Sequence, residues 1–285
     1  MAPALLLLAL AFGEPARDTT FVIPEGARIS IVLREGDVRV TGVSGREARI
    51  LMDGEARGVY VVSGGQEIRV TPRDRRSDGD LSVWLPEDVH LTVVGREGNI
   101  TVDGLARGEV QASTADGDVE INRAARADVS ALDGDVRLAN TGPASVNVAD
   151  GDVWIDRAAG EVTVHGVDAD IVVTNADVRA LSLMAVDGDL WYDGAVYEDG
   201  SYSFSTHDGD VTFALPENAG ARISVSTFDG ELIPSFPVQF RGGRLRGGEF
   251  MVGDGSAAVT LRSFDGDIVL IRPGERTPES EEERD

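Results

Sequence analysis

The sequence predicts an all-β fold, a single-domain β-solenoid of parallel β-helix type with about 18 residues per coil. Three observations carry that expectation. A DGD-like triplet recurs along most of the chain, short apolar–polar alternations flank each copy, and helical periodicity is nearly absent. The central glycine falls at Gly117, Gly134, Gly151, Gly188, Gly209, Gly230 and Gly266, with weaker copies at Gly98 (EGN), Ala169 (DAD) and Gly248 (GGE). From residue 98 onward the spacings are 19, 17, 17, 18, 19, 21, 21, 18 and 18. Gly36 and Gly54, 18 apart, extend the period toward the N-terminus, while residues 55–80 are less regular.

Each repeat has the same grammar. Two and four residues after the glycine lie Val119 and Ile121, Val136 and Leu138, Val153 and Ile155, Ile171 and Val173, Val211 and Phe213. Five residues before it lies Val129, Val146, Val164, Leu183, Phe204 or Val225. Alternation over four or five residues bounded by Gly and Asp is strand grammar, and it gives two or three short strands per coil. The exception is a short helical stretch expected around Arg123–Ala127. Asp-Gly is also a favoured hairpin turn, so the alternative is an antiparallel β-meander or sandwich. The near-constant period favours the solenoid, because a coil must return to the same azimuth while meander loops vary freely.

At the N-terminus, residues 4–12 (ALLLLALAF) are an apolar run too short to span a bilayer. The run fits the core of a secretory signal, and residues 1–13 are read as a signal peptide, which makes the protein secreted or periplasmic. The leader lacks the usual basic residues. Residues 18–271 form the repeat domain, and the Pro-, Glu- and Arg-rich residues 272–285 read as a disordered acidic tail. The whole chain has 285 residues with 50 acidic and 26 basic side chains, all of the latter Arg, for a net charge of −24. Such an acidic chain is unsuited to nucleic acid or to anionic lipid. With no Cys it has neither disulfides nor thiolate metal sites.

The order of longer blocks is more specific than any one triplet. FVIPEGARISIVLREGDVRVTG opens the repeat region, and LSVWLPEDVHLTVVGREGNITVDGLARGEVQASTADGDVEI follows. After the central DGD coils come VTFALPENAGARISVSTFDGELIPSF and AAVTLRSFDGDIVLIRPG. In these blocks the chain resembles the bacterial putative-adhesin family of β-strand-repeat domains of unknown function, also called toast-rack domains. The resemblance implies an extracytoplasmic, non-enzymatic, β-solenoid-like domain, of a kind associated with envelope stress sensing or surface adhesion. It brings no catalytic residues with it.

Stacked repeats place equivalent residues about 4.8 Å apart, so the triplets predict two acidic columns. One holds Glu97, Asp116, Asp133, Asp150, Asp168, Asp187, Asp208, Asp229 and Asp265; the other holds Asp118, Asp135, Asp152, Asp170, Asp189, Asp210, Glu231, Glu249 and Asp267. Without these eighteen residues the chain would carry only −6. Such columns suit turn carboxylates that satisfy local N–H groups and otherwise face water. They also offer oxygen ligands for Ca²⁺, with Asp116, Asp118, Asp133, Asp135, Asp150 and Asp152 as the candidates of a calcium-stiffened structural repeat. The calcium nonapeptide GGxGxDxUx is absent, and no other cofactor is expected. Three residues after each glycine an outward column places Trp154 and Trp191 two coils apart with Val172 between them, a candidate surface for an envelope protein or a glycan. Phe204, Phe213, Phe228 and Phe264 read as core. His90, His165 and His207 are scattered, and no GxSxG or phosphate-loop motif occurs. A polysaccharide-processing β-helix enzyme could use Asp150 and Asp152 beside Trp154, yet the carboxylates repeat uniformly where a catalytic pair should be set apart. The non-enzymatic reading is preferred.

Overall fold

In the computed structural model, which describes residues 18–54, 58–72, 79–238 and 247–275, every regular element is a β-strand. Residues 1–13, expected from the sequence to be a signal peptide, lie outside the described residues. The chain divides into two compact units, Met1–Asp128 and Val129–Asp285.

The first unit opens with β1 (Asp18–Val22), β2 (Arg28–Val32), β3 (Val38–Val43) and β4 (Glu47–Met52). It continues through β5 (Val59–Gly64), β6 (Glu67–Pro72), β7 (Leu81–Pro86) and β8 (His90–Val94) to β9 (Ile100–Asp103), β10 (Glu109–Asp116) and β11 (Val119–Asn122). β12 (Arg126–Asp133) begins in this unit and ends in the next. The second unit contains β13 (Val136–Ala139), β14 (Ala144–Asp150), β15 (Val153–Asp156), β16 (Ala159–His165), β17 (Ile171–Thr174), β18 (Asp177–Met184) and β19 (Leu190–Asp193). After them come β20 (Ser201–Ser205), β21 (Val211–Ala214), β22 (Ala221–Asp229), β23 (Leu232–Pro234), β24 (Gly247–Val252), β25 (Ala257–Asp265) and β26 (Ile268–Ile271).

A coil consists of one longer strand, the DGD corner, one short strand and a second corner. Successive coils pair in parallel, as in Val153↔Ile171, Ile171↔Leu190 and Leu190↔Val211 on the short-strand face. Antiparallel pairs occur only at β1–β4–β7, β5–β6 and β22–β24 among the described strands, so the solenoid expectation holds over the meander. The residues two and four after the glycine and five before it are buried at the described corners, save half-buried Pro234 after Gly230, which makes the core mostly a stack of Val, Ile, Leu and Ala. Fully burying each Val or Ile contributes about 1.5–3 kcal/mol, and their β-branching suits a pleated sheet. Around the coils of 21-residue spacing the interior is larger and is filled by Tyr192, Tyr202, Phe204 and Phe213, whose ring centroids lie 5.4–6.1 Å apart. The Tyr192 hydroxyl donates to Ala195 O at 2.6 Å, and burial pushes its pKa well above the usual phenol value.

The second corner is not helical. Arg123, Asn140, Arg157 and Asn175, each six residues after the central position of its triplet, adopt left-handed φ of 52–60°. The stretch around Arg123–Ala127 is therefore a one-residue reversal, with Ala125 N–H bonded to Gly108 O before β12 starts. Its short helical pattern loses to the requirement that the chain turn within one coil.

Coil order departs from sequence order in both units. β2 pairs with β6 and β8, and β3 with β7 and β9, so the coil bearing Gly36 sits between those of Gly79 and Gly98. Gly54, expected as a corner, follows β4 on an antiparallel excursion and takes no place in the stack. In the second unit β25 lies between β20 and β22, and β26 between β21 and β23. The corners thus run Gly209, Gly266, Gly230. Gly248 is no corner; it faces Val225 across the antiparallel β22–β24 pair, which removes Glu249 from the acidic column. A spacing of 18 residues fits an out-and-back excursion as well as a coil, and strand pairing decides between them.

Arg46 ties the first unit's opening strands down. Its guanidinium donates to both oxygens of Asp88 at 2.9 and 2.8 Å and to Pro24 O at 2.6 Å, and it holds the Asp88 carboxyl below the usual carboxylate range. At the other end, residues 272–275, placed by the sequence in the tail, are tied to the fold. Arg272 Nη1 donates to Leu215 O at 2.8 Å and stacks on Phe236, and Gly274 N–H donates to Asp193. Residues 276–285 lie outside the described residues.

The corner glycines are needed twice over. Gly209 has φ +133°, and a Cβ there would sit 2.3 Å from Gly188 O of the neighbouring coil. Gly45 has φ +107° with open space around it. Gly45→Ala is expected to cost about 1–3 kcal/mol from backbone strain alone. Gly209→Ala should cost about 4 kcal/mol or more, since a backbone carbonyl must also move. Denaturant unfolding of both variants checks this; equal losses would mean that coil-to-coil contact adds nothing.

Candidate interaction surface

The corner begins with a backbone problem. At the glycine the N–H bonds the adjacent coil normally, as in Gly188 N–H to Asp208 O at 2.9 Å. At the next residue the regular backbone ladder is interrupted, and a side chain stands in for the carbonyl. Asp170 N–H donates to Asp152 Oδ1 at 3.1 Å, Asp189 to Asp170 at 2.8 Å, Asp210 to Asp189 at 2.7 Å and Asp267 to Asp210 at 2.6 Å. In the first unit Asp37 donates to Asp80, Asn99 to Asp37 and Asp118 to Asn99, at 2.9–3.0 Å. The second acidic column is thus an intercoil ladder rather than a set of locally satisfied turns. Neighbouring charges at 4.8 Å repel by about 0.9 kcal/mol in water. A hydrogen bond to a charged acceptor contributes about 1.5–3 kcal/mol, so the ladder wins. Only Asp or Asn accepts in it, and at the end of the ladder the backbone N–H of Glu231, the one residue with a longer side chain, donates to Asp267 Oδ1.

The first column behaves differently. Asp150, Asp168, Asp187, Asp208 and Asp265 bridge neighbouring coils through their backbones, and their side chains are exposed. Among the described residues, no three His, Asp or Glu side chains are grouped to hold a metal ion. Asp116 and Asp118 stand at one corner of the first unit, and Asp133, Asp135, Asp150 and Asp152 at two corners of the second.

Trp154, Val172 and Trp191 do stand side by side on the short-strand face, in the register Trp154↔Val172↔Trp191. Both indoles are half-buried by their own neighbours. The Arg137 guanidinium, anchored on Asp135 at 2.9 Å, lies 4.3 Å from the centre of the Trp154 ring. Trp191 packs on buried Ala214, Val269 and Ile271.

A more open apolar column lies two residues before each corner of the second unit. It contains Leu132 (61% exposed), Ala149, Val167 (54%), Val186 (55%), His207, Phe264 (48%) and Phe228 (68%). Phe204 and Phe213 are core as expected, but Phe228 and Phe264 are not. They precede the triplet by one residue, where the alternating strand points outward. The permuted coil order places Phe264 between His207 and Phe228, with ring centroids 4.7 and 4.8 Å apart and planes within 24° and 7°. The sequence signal was available in HDGD, FDGE and FDGD, but not the stacking order. The other histidines are apart, His90 3.5 Å from Glu109 and His165 exposed on the long-strand face.

The second unit also has an open cleft of about 990 Å³, lined by Arg179, Tyr197, Asp199, Glu217, Asn218 and Asp254 among others. Arg179 is paired with Asp199 and stacked on Tyr197, whose hydroxyl donates to Asp177 and is raised in pKa by that carboxylate.

Residues 75–270 match the family model described as Toastrack DUF4097. No curated protein matches the sequence. Two crystal structures align over most of the chain at low similarity. One, of a putative cell adhesion protein from Clostridium sporogenes, is 10% identical, covers 90% of this chain and 98% of its own, and has a TM-score of 0.30. The other, of a putative adhesin from Bacteroides fragilis, is 12% identical, covers 89% and 96%, and has a TM-score of 0.38.

The ladder makes a direct prediction. Asp170→Ala removes the acceptor of Asp189 N–H and is expected to cost about 1 kcal/mol, water replacing part of the bond at this exposed corner. Asp170→Asn keeps an Oδ1, as Asn99 does, and should be close to neutral. Unfolding measurements that place the two variants level would contradict the ladder.

Proposed function

The chain belongs to the Toastrack DUF4097 family, and on that premise we propose that it is a non-catalytic, adhesin-like interaction module of the cell envelope, secreted or periplasmic. Its task is to present a rigid surface to a protein or glycan partner. The observation that supports this reading is register. Backbone ladders hold outward side chains at one fixed spacing, and many of those side chains are apolar and in contact with water. Solvated apolar columns on a stiff scaffold are costly unless something covers them part of the time. Trp154 and Trp191 are the partner-binding candidates on the short-strand face, since each keeps part of its ring accessible. The non-catalytic reading is supported by the uniformity of the carboxylates, which recur coil after coil in near-identical surroundings, whereas acid–base pairs need unlike ones. The apolar segment at residues 4–12 supports export.

Fractionation of the tagged full chain in a bacterial host tests the location. The expected result is tagged protein in the periplasm, envelope or medium; retention in the cytoplasm would contradict it. Trp154→Ala is expected to weaken envelope cross-linking through that face while leaving the melting temperature nearly unchanged, because the ring is only half-buried.

A further inference from the structure

We propose that the exposed column of the second unit is a docking track for a cationic amphipathic helix. The proposal rests on the interaction-module reading and supplies the partner's chemistry. The track runs Leu132, Ala149, Val167, Val186, His207, Phe264, Phe228, one side chain per coil. Directly beside it runs Asp133, Asp150, Asp168, Asp187, Asp208, Asp265, Asp229, every one exposed. An apolar rail flanked by a carboxylate rail complements a partner with an apolar stripe bordered by Lys or Arg. Arg262, on the next outward column toward the strand interior, is a cation on the opposite side of the rail.

Pitch selects a helix over a strand. Coils repeat about every 4.8 Å, a helix presents one apolar contact per turn of about 5.4 Å, and a strand repeats each face at about 6.7 Å. The mismatch per coil is about 0.6 Å for the helix and about 2 Å for the strand, so a helix stays within half a coil spacing for about four coils and a strand for about one. Six coil steps cover about 29 Å, the length of a helix of about 19 residues. The aromatic part of the rail favours aliphatic side chains over sugar rings. Phe264 has His207 against one ring face and Phe228 against the other, so it presents its edge outward. The carboxylate rail disfavours an anionic membrane.

The test titrates the full chain with a synthetic Leu/Lys peptide of about 18 residues, patterned as an amphipathic helix, and with a scrambled peptide of the same composition. Binding of the patterned peptide alone is expected, weakening as salt rises. The double variant Val167→Ser/Val186→Ser should bind about tenfold more weakly at an unchanged melting temperature, because both side chains are already exposed. Asp168→Asn/Asp187→Asn should flatten the salt dependence. Equal binding of the scrambled peptide, or wild-type binding by the Val variant, would overturn the proposal. Loss of binding in Trp154→Ala alone would overturn it too, and would leave the interaction-module reading standing on the other face.

Discussion

The fold depends on how each coil grips the next at the DGD corner. There the glycine brings two backbones so close that no Cβ fits, and the following Asp offers Oδ1 to the N–H of its counterpart one coil on. The first part removes steric freedom and the second removes electrostatic freedom, so the register of adjacent coils has a single solution. Both outward columns and the core stack inherit that register. The degenerate corner at Ala169 shows that the carboxylate ladder continues where the glycine is replaced. Ala169 has no positive φ, yet Asp170 still accepts from Asp189, and its coil keeps its place.

Charge follows the same logic. The chain places its excess carboxylates where each can serve a neighbouring coil or face water, which a helical or sandwich protein of the same composition could not do so regularly. The structure adds Asp37 and Asp80 to the ladder and removes Glu249. The two columns differ in use. One is occupied by intercoil hydrogen bonds, while the other exposes its carboxylates beside an apolar rail.

Much of this was legible in the sequence. Val119, Ile121, Val136 and Leu138 point inward because period-two alternation on each side of a glycine corner leaves them no other face. The pairing of Trp154 and Trp191 through Val172 follows from spacing in the same way. What was not legible depends on order in space. Constant spacing cannot distinguish a coil from an excursion that returns, so Gly54 and Gly248 read as corners and the reversal of Gly266 and Gly230 was hidden. The aromatic rail was missed for that reason and one more. Phe is usually core, and only the one-residue offset of Phe228 and Phe264 from the inward positions shows that they face water.

The permuted coil order is the claim on which the rail, the ladder's end and the aromatic stack all rest, and the absence of Cys makes it directly measurable. His207 and Phe264 precede Asp208 and Asp265, which bridge adjacent coils. Their Cα atoms therefore lie about 4.8 Å apart, within disulfide reach, whereas His207 and Phe228 lie two coils apart at about 9.6 Å. Oxidation of the double variants His207→Cys/Phe264→Cys and His207→Cys/Phe228→Cys, followed by mass analysis, reads the order. A disulfide in the first variant and none in the second is the predicted result; the reverse would mean that the coils stack in sequence order.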